Sequence, residues 1–486
     1  MSGWRRTSAW MIVVRPLHEV VGLLPLVVAV LLFGRGDRQE LAWGGAVVAV
    51  LLLHGLVAWW RTSYRVGEEQ VELRTGLFAR RERALRRDRV RAVERTARFG
   101  HRLFGLAEVH VGTGQQADRL RLDGVTAQEA ERLRAELLRP TVSAAESEPA
   151  AADTNVLATL DWRWARLAPL TLSGIASVLV GLGALARVLT ELDRGGDVLA
   201  GIGEQLTAWA ARRSALVDAL AALGAVVLVV LVVSLVGYAL SYAGYQLTRQ
   251  DRTLRVRRGL LTTRAVTIEE ARLRGLRMRE ELLLRPARGA RLAAITSGLG
   301  RRGRGGLLVP PAPIGEVHRV GAAVAREAAP PTARPLTRHP LGALRRRLVR
   351  AVGAVLVLAA AAAVLRVGAG WPDWPWILAL CLVAPAALLG LDRYRSLGHA
   401  LDGTWLISRS GSVHRDTDAL RCHGIIGWRL HRSFFQRRRG LLTLEPTTAA
   451  PNERPQVVDI GEQDGIRIAE DAVPGLLGHL IVGDQA

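Results

Sequence analysis

The chain has 486 residues, 49% of them hydrophobic, with 66 basic residues against 44 acidic ones and a net charge of +22. Every basic residue other than histidine is an arginine, so a single arginine carries little weight, and the two cysteines, Cys381 and Cys422, exclude a disulfide framework and a cysteine zinc site. The hydrophobic residues are gathered in long runs, which sets aside an ordinary soluble multidomain chain and puts membrane spans first.

Six hydrophobic segments can be drawn, over residues 20–33, 41–60, 167–186, 219–248, 351–365 and 374–391. A bilayer core of about 30 Å takes about 20 helical residues. The second, third and fourth reach that length; the first and fifth are short and count as spans through their partners. The first also reads as a signal peptide with Arg5 and Arg6 as its basic flank. Against that, Gly34-Arg35-Gly36-Asp37 is a poor small-residue cleavage site, and a full span follows at once. The segments form three hairpins whose tips, 34–40, 187–213 and 366–373, carry equal numbers of arginines and acids. The other ends carry Arg15, Arg61, Arg249, Arg345, Arg346, Arg347, Arg350, Arg393 and Arg395. Arginine beside span ends stays cytoplasmic, so both termini and everything between the hairpins are expected inside the cell.

Behind each hairpin the chain writes the same plan. Tyr64-Arg65-Val66 and Val71-Glu72-Leu73-Arg74 alternate as half-buried strands and turn at Gly76; 29 residues on stands Gly105, followed by Val109-His110-Val111. Tyr245-Gln246-Leu247 and Leu254-Arg255-Val256-Arg257 turn at Gly259, with Gly289 30 residues on. Trp405-Leu406-Ile407-Ser408-Arg409 turns at Gly411, with Gly440 29 residues on, between Arg437-Arg438-Arg439 and Leu441-Leu442-Thr443-Leu444. Three such spacings read as a repeat. Each copy closes on a helix: one opened by the capping box Thr126-Ala127-Gln128-Glu129, one over 314–328, one over 470–481. Segments 140–155 and 328–340, rich in Ala and Pro, read as tethers. The soluble modules are thus placed at 61–140, 249–328 and 392–486.

Hydrophobic hairpins alternating with short strand-rich modules resemble bacterial membrane proteins with pleckstrin-homology-like (PH-like) domains, the YdbT-like group. The residues that carry the resemblance are Arg74-Thr75-Gly76, Arg102-Leu103-Phe104-Gly105-Leu106, Tyr394-Arg395-Ser396-Leu397-Gly398-His399 and Phe434-Phe435-Gln436-Arg437-Arg438-Arg439-Gly440-Leu441. The resemblance implies seven-stranded, strongly bent sheets capped by a C-terminal helix. It also implies a link to envelope physiology and antimicrobial-peptide tolerance, and a smaller PH-like membrane protein as partner. The second module departs most, with Arg301-Arg302-Gly303-Arg304-Gly305-Gly306 in place of a clear strand and turn.

Catalytic and cofactor patterns are weak. Gly298-Leu299-Gly300-Arg301-Arg302-Gly303 matches G-x-G-x-x-G, but Leu307-Leu308-Val309-Pro310-Pro311 follows where a dinucleotide site needs a helix. Eleven histidines show no metal spacing, and no hydrolase, zincin or Walker motif is present. An enzyme, a cofactor and a metal are therefore not expected. Apart from His54 the segments carry no ionisable group at depth, which weighs against a transport path. Gly174, Gly181 and Gly183 read equally as ordinary membrane composition or as a seam for a homo-oligomer.

The basicity is uneven: residues 249–350 hold 24 arginines against seven acids, whereas 392–486 hold twelve of each. Arg255, Arg257, Arg258, Arg301, Arg302 and Arg304, with Arg437, Arg438 and Arg439, have two readings. They face the anionic inner leaflet, where each basic group gains about 1 kcal/mol, or they form a solvated face. Nucleic acid is the weakest partner, for want of an aromatic stacking platform. The expectation is a membrane protein of mixed α and β structure. It has six transmembrane helices in three hairpins and three cytoplasmic PH-like modules, and acts as a non-catalytic binding or scaffold component. The runner-up is a transport or export accessory gated by the modules.

Overall fold

The computed structural model describes residues 4–12, 14, 53, 56–57, 59–60, 62–67, 69–75, 81–87, 90, 92–112, 120–137, 155–171, 215–250, 252–296, 306–370, 372–449 and 455–477. The chain divides into two compact units, Met1–Glu270 and Ala271–Ala486. The boundary falls inside the second sequence repeat.

In the first unit, β1 (Arg5–Arg6), β2 (Ser63–Val66), β3 (Gln70–Thr75) and β4 (Arg81–Arg86) form an antiparallel sheet in that order. Then come β5 (Ala92–Ala97), α1 (Phe99–Leu103), β6 (Leu106–Gly112), β7 (Leu120–Thr126) and α2 (Ala127–Leu137). The alternation in these strands turns Val71, Leu73, Leu85, Val93, Val109, Val111 and Leu122 into one core, which α2 covers with Ala130, Leu133 and Leu137 at helical spacing. Thr126 caps α2 by accepting the Glu129 amide at 3.3 Å, one half of the expected box. β8 (Asn155–Thr159), α3 (Ala215–Tyr242), β9 (Gln246–Gln250), β10 (Thr253–Arg258) and β11 (Thr263–Glu269) complete the unit. A seven-stranded sheet runs β7-β6-β5-β11-β10-β9-β8.

The second unit holds β12 (Leu273–Glu281), β13 (Gly289–Thr296), β14 (Leu307–Pro313) and α4 (Ile314–Ala325). A helical hairpin follows: α5 (Leu341–Ala369), α6 (Trp374–Cys381) and α7 (Val383–Arg395). The chain ends in β15 (Gly398–Asp402), β16 (Trp405–Gly411), β17 (His414–Arg421), β18 (Ile425–His431), α8 (Phe434–Arg437), β19 (Leu441–Thr448), β20 (Val457–Gly461) and α9 (Glu462–Ala472). Its sheets run β14-β13-β12-β17-β16-β15 and β18-β19-β20.

Two features of this topology escape the sequence. First, each repeat begins one strand before its hydrophobic hairpin: β1 pairs with β2, β8 with β9, and Thr337 bridges to His399 of β15. The chain leaves a sheet, passes through hydrophobic sequence and returns to the neighbouring strand. Second, the seven strands do not close into separate modules. Counted from the strand that follows the hairpin, the fourth strand of one repeat pairs with the third strand of the next, as β5 with β11 and β12 with β17. At the second joint three charged pairs lie across the ladder: Arg277–Asp418 (2.5 and 2.9 Å), Arg279–Asp416 (2.7 and 2.9 Å) and Arg415–Glu280 (2.6 and 2.9 Å). All are two-pronged, the geometry that makes arginine–carboxylate pairs strong and directional. A Cβ on Gly275 would fall on the Ala419 carbonyl, so only glycine lets the strands approach there.

Several expectations need correction. Among the described residues two helices, not six, are long and apolar enough to cross a membrane: Leu341–Ala369, of 29 residues, and Trp374–Arg395, of 22. Only 6% and 11% of their apolar stretches is buried in the protein, so those side chains face outward. The fifth segment, read as short, is lengthened because its arginine-bearing flank belongs to the same helix; the sixth is broken at Leu382, where Pro385 has no amide to continue the ladder. The fourth contributes α3, a helix of 28 residues over Ala215–Tyr242. Segments 20–33 and most of 41–60 and 167–186 lie outside the described residues, as do His54 and the G-x-G-x-x-G stretch. The last helix spans Glu462–Ala472 and not 470–481: it starts eight residues earlier, directly after β20, and Pro474-Gly475 follows its end. Segment 328–340 is no loose tether: Pro331 and Thr332 are buried and Thr337 is paired.

The repeated turn glycines divide. Gly259 and Gly411 have φ of +104° and +106°, and a Cβ on either would fall on the carbonyl oxygen three residues ahead. Gly105 and Gly440 also have positive φ, but Gly289 opens β13 in extended backbone and Arg288 before it takes the left-handed turn (φ 51°). Gly76 lies outside the described residues. Gly411→Ala is expected to destabilise the second unit by roughly 1–3 kcal/mol, read as a lower melting temperature of the detergent-solubilised chain. Gly353→Ala, where a Cβ meets nothing within 4 Å, is expected to leave it unchanged; equal melting of the two variants would refute the strained turn.

Candidate functional site

The hairpin meets the last sheet at a cavity of about 650 Å³. One wall comes from the first turns of α5, with Arg346, Arg347 and Arg350, and the last turn of α7, with Arg393. The other comes from β18 and β19 with α8, supplying Arg429, His431, Gln436, Thr443 and Glu445. Sequence dictates this wall. Arg346 and Arg350 stand four apart on one helix face, and Arg429 and His431 alternate onto one face of β18. The helices are brought together at Gly390, where Leu348, Ala351 and the Arg347 carbonyl pack within 3.2–3.4 Å of a Cβ position.

Asp459 holds the wall in place. It is fully buried, has φ 63°, and accepts from Arg347 Nε at 2.9 Å, from Gln436 Nε2 at 2.8 Å and from Arg346. One carboxylate thus serves two guanidinium groups. Arg350 and Arg393 have no ion pair among the described residues and are exposed to the cavity. A concave wall with more guanidinium than carboxylate attracts an anion, more strongly where water is partly excluded.

Beside the cavity lies a buried histidine pair. His339 Nδ1 donates to the Asp459 carbonyl at 3.0 Å, and its Nε2 accepts from His399 Nδ1 at 3.0 Å. The tautomers follow from the carbonyl, which only accepts. Tyr394 donates to the His339 carbonyl at 3.0 Å, tying the end of α7 to the same knot. Burial first, and then the neighbouring His399, push His339 down to about 4; burial lowers His399 as well.

The arginines chosen from sequence do not form one site. Arg255 reaches Glu131 at 3.5 Å, Arg258 lies over the Tyr242 ring at 5.5 Å and Arg257 is exposed, all in the first unit. Arg301, Arg302 and Arg304 lie outside the described residues. Arg437, Arg438 and Arg439 are exposed at the rim of the cavity, around α8, whose Ser433 and Gln436 form a reciprocal capping box. Arg438 lies over the Phe434 ring at 5.8 Å, and Arg439 reaches the Gly342 carbonyl at 3.4 Å. Phe434 and Phe435 point outward there, 58% and 68% exposed. Sequence reasoning counted Arg346, Arg347, Arg350 and Arg393 only as orientation marks. The clue it left unused is that they flank the two ends of one hairpin and so must meet.

The sequence profile of the Bacterial PH domain family matches three times, over residues 18–141, 198–328 and 348–471. The chain belongs to the bacterial PH domain family. The first and third matches begin just before a hydrophobic segment and the second in the tip 187–213, and the first two run just past a capping helix, in keeping with the three strand-rich repeats. The chain is also 21% identical over 442 residues to the UPF0699 transmembrane protein YdbT of Bacillus subtilis (strain 168), covering 86% of each protein. No solved structure matches it. Family, relative and outward-facing apolar hairpin together make this a membrane protein with bacterial PH domains, similar to YdbT.

The histidine pair predicts a pH response. His339 is neutral in the fold at any pH above about 4, whereas the unfolded chain takes up a proton below 6.5. Stability is therefore full above that value and falls as pH drops toward 4, by up to roughly 3 kcal/mol at about 1.4 kcal/mol per unit. The melting temperature of the solubilised chain is expected to fall between about pH 7 and about pH 5, and His339→Asn, which keeps a donor for the Asp459 carbonyl, is expected to flatten that fall. An equally steep fall in the variant would place the sensitive group elsewhere.

Proposed function

We propose that this protein is a non-catalytic, membrane-anchored binding component of the cell envelope. Its PH domains would lie on the cytoplasmic side and engage acidic phospholipid at the foot of the last hairpin. The observation that carries this is the arginine-walled cavity, in which Asp459 occupies Arg346 and Arg347 and leaves Arg350 and Arg393 for a ligand. Basic pockets between spanning helices on the cytoplasmic side suit acidic headgroups. The rim adds the exposed Phe434 and Phe435 beside Arg437, Arg438 and Arg439, an arrangement suited to the interface of acyl chain and headgroup. Arginine beside the ends of α5 and α7 supports the cytoplasmic orientation by the positive-inside rule. A scaffolding role in envelope stress or antimicrobial-peptide tolerance belongs to the same proposal and rests on family resemblance.

Lipid-dependent melting tests it. Phosphatidylglycerol added to the detergent-purified chain is expected to raise its melting temperature, with about 2.7 kcal/mol of stabilisation at a hundredfold excess over the dissociation constant. Phosphatidylcholine is expected to have little effect. The double variant Arg350→Gln, Arg393→Gln touches no ion pair of the fold and is expected to lose the response. Equal responses to both lipids, or an undiminished response in the variant, would remove the proposal's support.

A further inference from the structure

In the first unit the short helix α1 and the turn between β10 and β11 form one tip. Arg102 of α1 donates to the carbonyl of Leu260, the residue after the turn glycine Gly259. The apolar side chains of both segments are turned away from the core. Phe99 and Leu103 of α1 are 59% and 66% exposed, and Leu260 and Leu261 of the turn 50% and 45%. Residues 98–104 and 257–264 hold five arginines and no acid. An apolar tip in a collar of arginine is not the composition of a solvated turn, and a patch of this kind marks a contact surface.

The helix to which the tip is fastened says what it faces. The Gly259 and Leu260 amides donate to the Ala243 and Leu240 carbonyls, at 2.9 Å each, so the turn sits on the C-terminal end of α3. Val227, Leu228, Val229, Leu231, Val232 and Val233 of α3 are each at least 39% exposed. At about 100° per residue they look out in most directions. A helix apolar on its exposed sides suits hydrocarbon and not water. Its end carries Tyr238 and Tyr242, with ring centroids 4.8 Å apart, and Arg258 lies over the Tyr242 ring at 5.5 Å. Tyrosine with arginine beyond it marks the level where a helix passes from hydrocarbon to headgroups. The tip is at that level.

The second unit builds the same contact within itself. Arg285 donates to the carbonyl of Ser412, again the residue after a turn glycine, Gly411, and the Leu282 amide donates to the Val413 carbonyl at 2.9 Å. Leu283 and Val413 are exposed there. Ser412 also donates to Asp392 near the end of α7, at 2.6 Å, and the helix Trp374–Arg395 is long and apolar enough to cross a membrane. The clamp of arginine on turn thus stands at the foot of a spanning helix.

We propose that the tip of the first unit, Phe99 and Leu103 with Leu260 and Leu261, is inserted into the interfacial layer of the bilayer, among the upper acyl carbons. Arg98 and Arg102, both exposed, then reach the headgroups. The sheet of this unit touches the membrane through its own loops. The inference rests on the chain's being a membrane protein and needs no ligand in the arginine-walled cavity, because burying apolar surface requires no particular headgroup.

The test uses the full chain in vesicles of phosphatidylcholine alone, with a fluorescent noncanonical amino acid placed singly at Leu103, at Leu261 or at Arg252. Arg252 is exposed just before β10, about 20 Å from the turn along the strand. A nitroxide near the top of the acyl chain is expected to quench the probes at Leu103 and Leu261 several-fold more than the probe at Arg252, and aqueous iodide several-fold less. Iodide quenching equal at all three positions would make the tip a solvated turn and overturn the proposal. Shielding of Leu103 and Leu261 from both quenchers would also overturn it, since protein and not lipid would then cover the tip. The response to phosphatidylglycerol, carried by Arg350 and Arg393, is read in a different lipid, so either reading can fail without the other.

Discussion

The arrangement around the cavity depends on one buried carboxylate. Asp459 lies in the middle of β20, accepts from two arginines of α5 and from Gln436 of α8, and through its carbonyl holds His339 ahead of the hairpin. It joins the foot of the hairpin to the last sheet. A buried pair of this kind adds little net stability over a well-packed apolar one, but removing one partner costs about 3–5 kcal/mol because the other charge stays buried and unpaired. Its value is positional. It fixes Arg346 and Arg347 in the wall and leaves Arg350 and Arg393 uncommitted. The left-handed backbone of Asp459 is consistent with a residue kept for its side chain at some conformational cost.

The second constraint is the way hairpins and sheets are threaded. In the third repeat the chain enters the hairpin from Thr337 and leaves it into His399, the two residues that bridge to each other. Arg285 and Ser412 both bond Asp392 near the end of α7, at 2.9 and 2.6 Å, so the loop after β12 and the turn before β17 close on that helix. The hairpin is thus clamped on both sides by strands of one unit. Because the sheets run through the joints, the compact units are not the sequence repeats: Glu270 and Ala271, neighbours in the second repeat, belong to different units.

The legible part of the fold was its local part. Alternation at Val71 and Leu73, Leu254 and Val256, and Leu442 and Leu444 marked strands because a period of two is visible within a few residues. Gly259 and Gly411 were legible as turns because their backbone excludes a side chain. The pairing of strands was not. Arg277 and Asp418 are 141 residues apart, and nothing in either segment names the other. Arg5-Arg6 looked like a topology signal and is also a strand. The site was legible only at its rim, as Arg437, Arg438 and Arg439. Its wall arginines were visible but explained too soon by the orientation rule, and Asp459, an ordinary acid in sequence, gained its role from burial alone.

The most direct measurement is an experimental structure of the full chain in nanodiscs containing both phosphatidylglycerol and phosphatidylcholine. The account predicts a headgroup phosphate within about 3 Å of the Arg350 and Arg393 guanidinium groups, with Asp459 still holding Arg346 and Arg347. A cavity filled by water, with acidic lipid ordered elsewhere or nowhere, would contradict it.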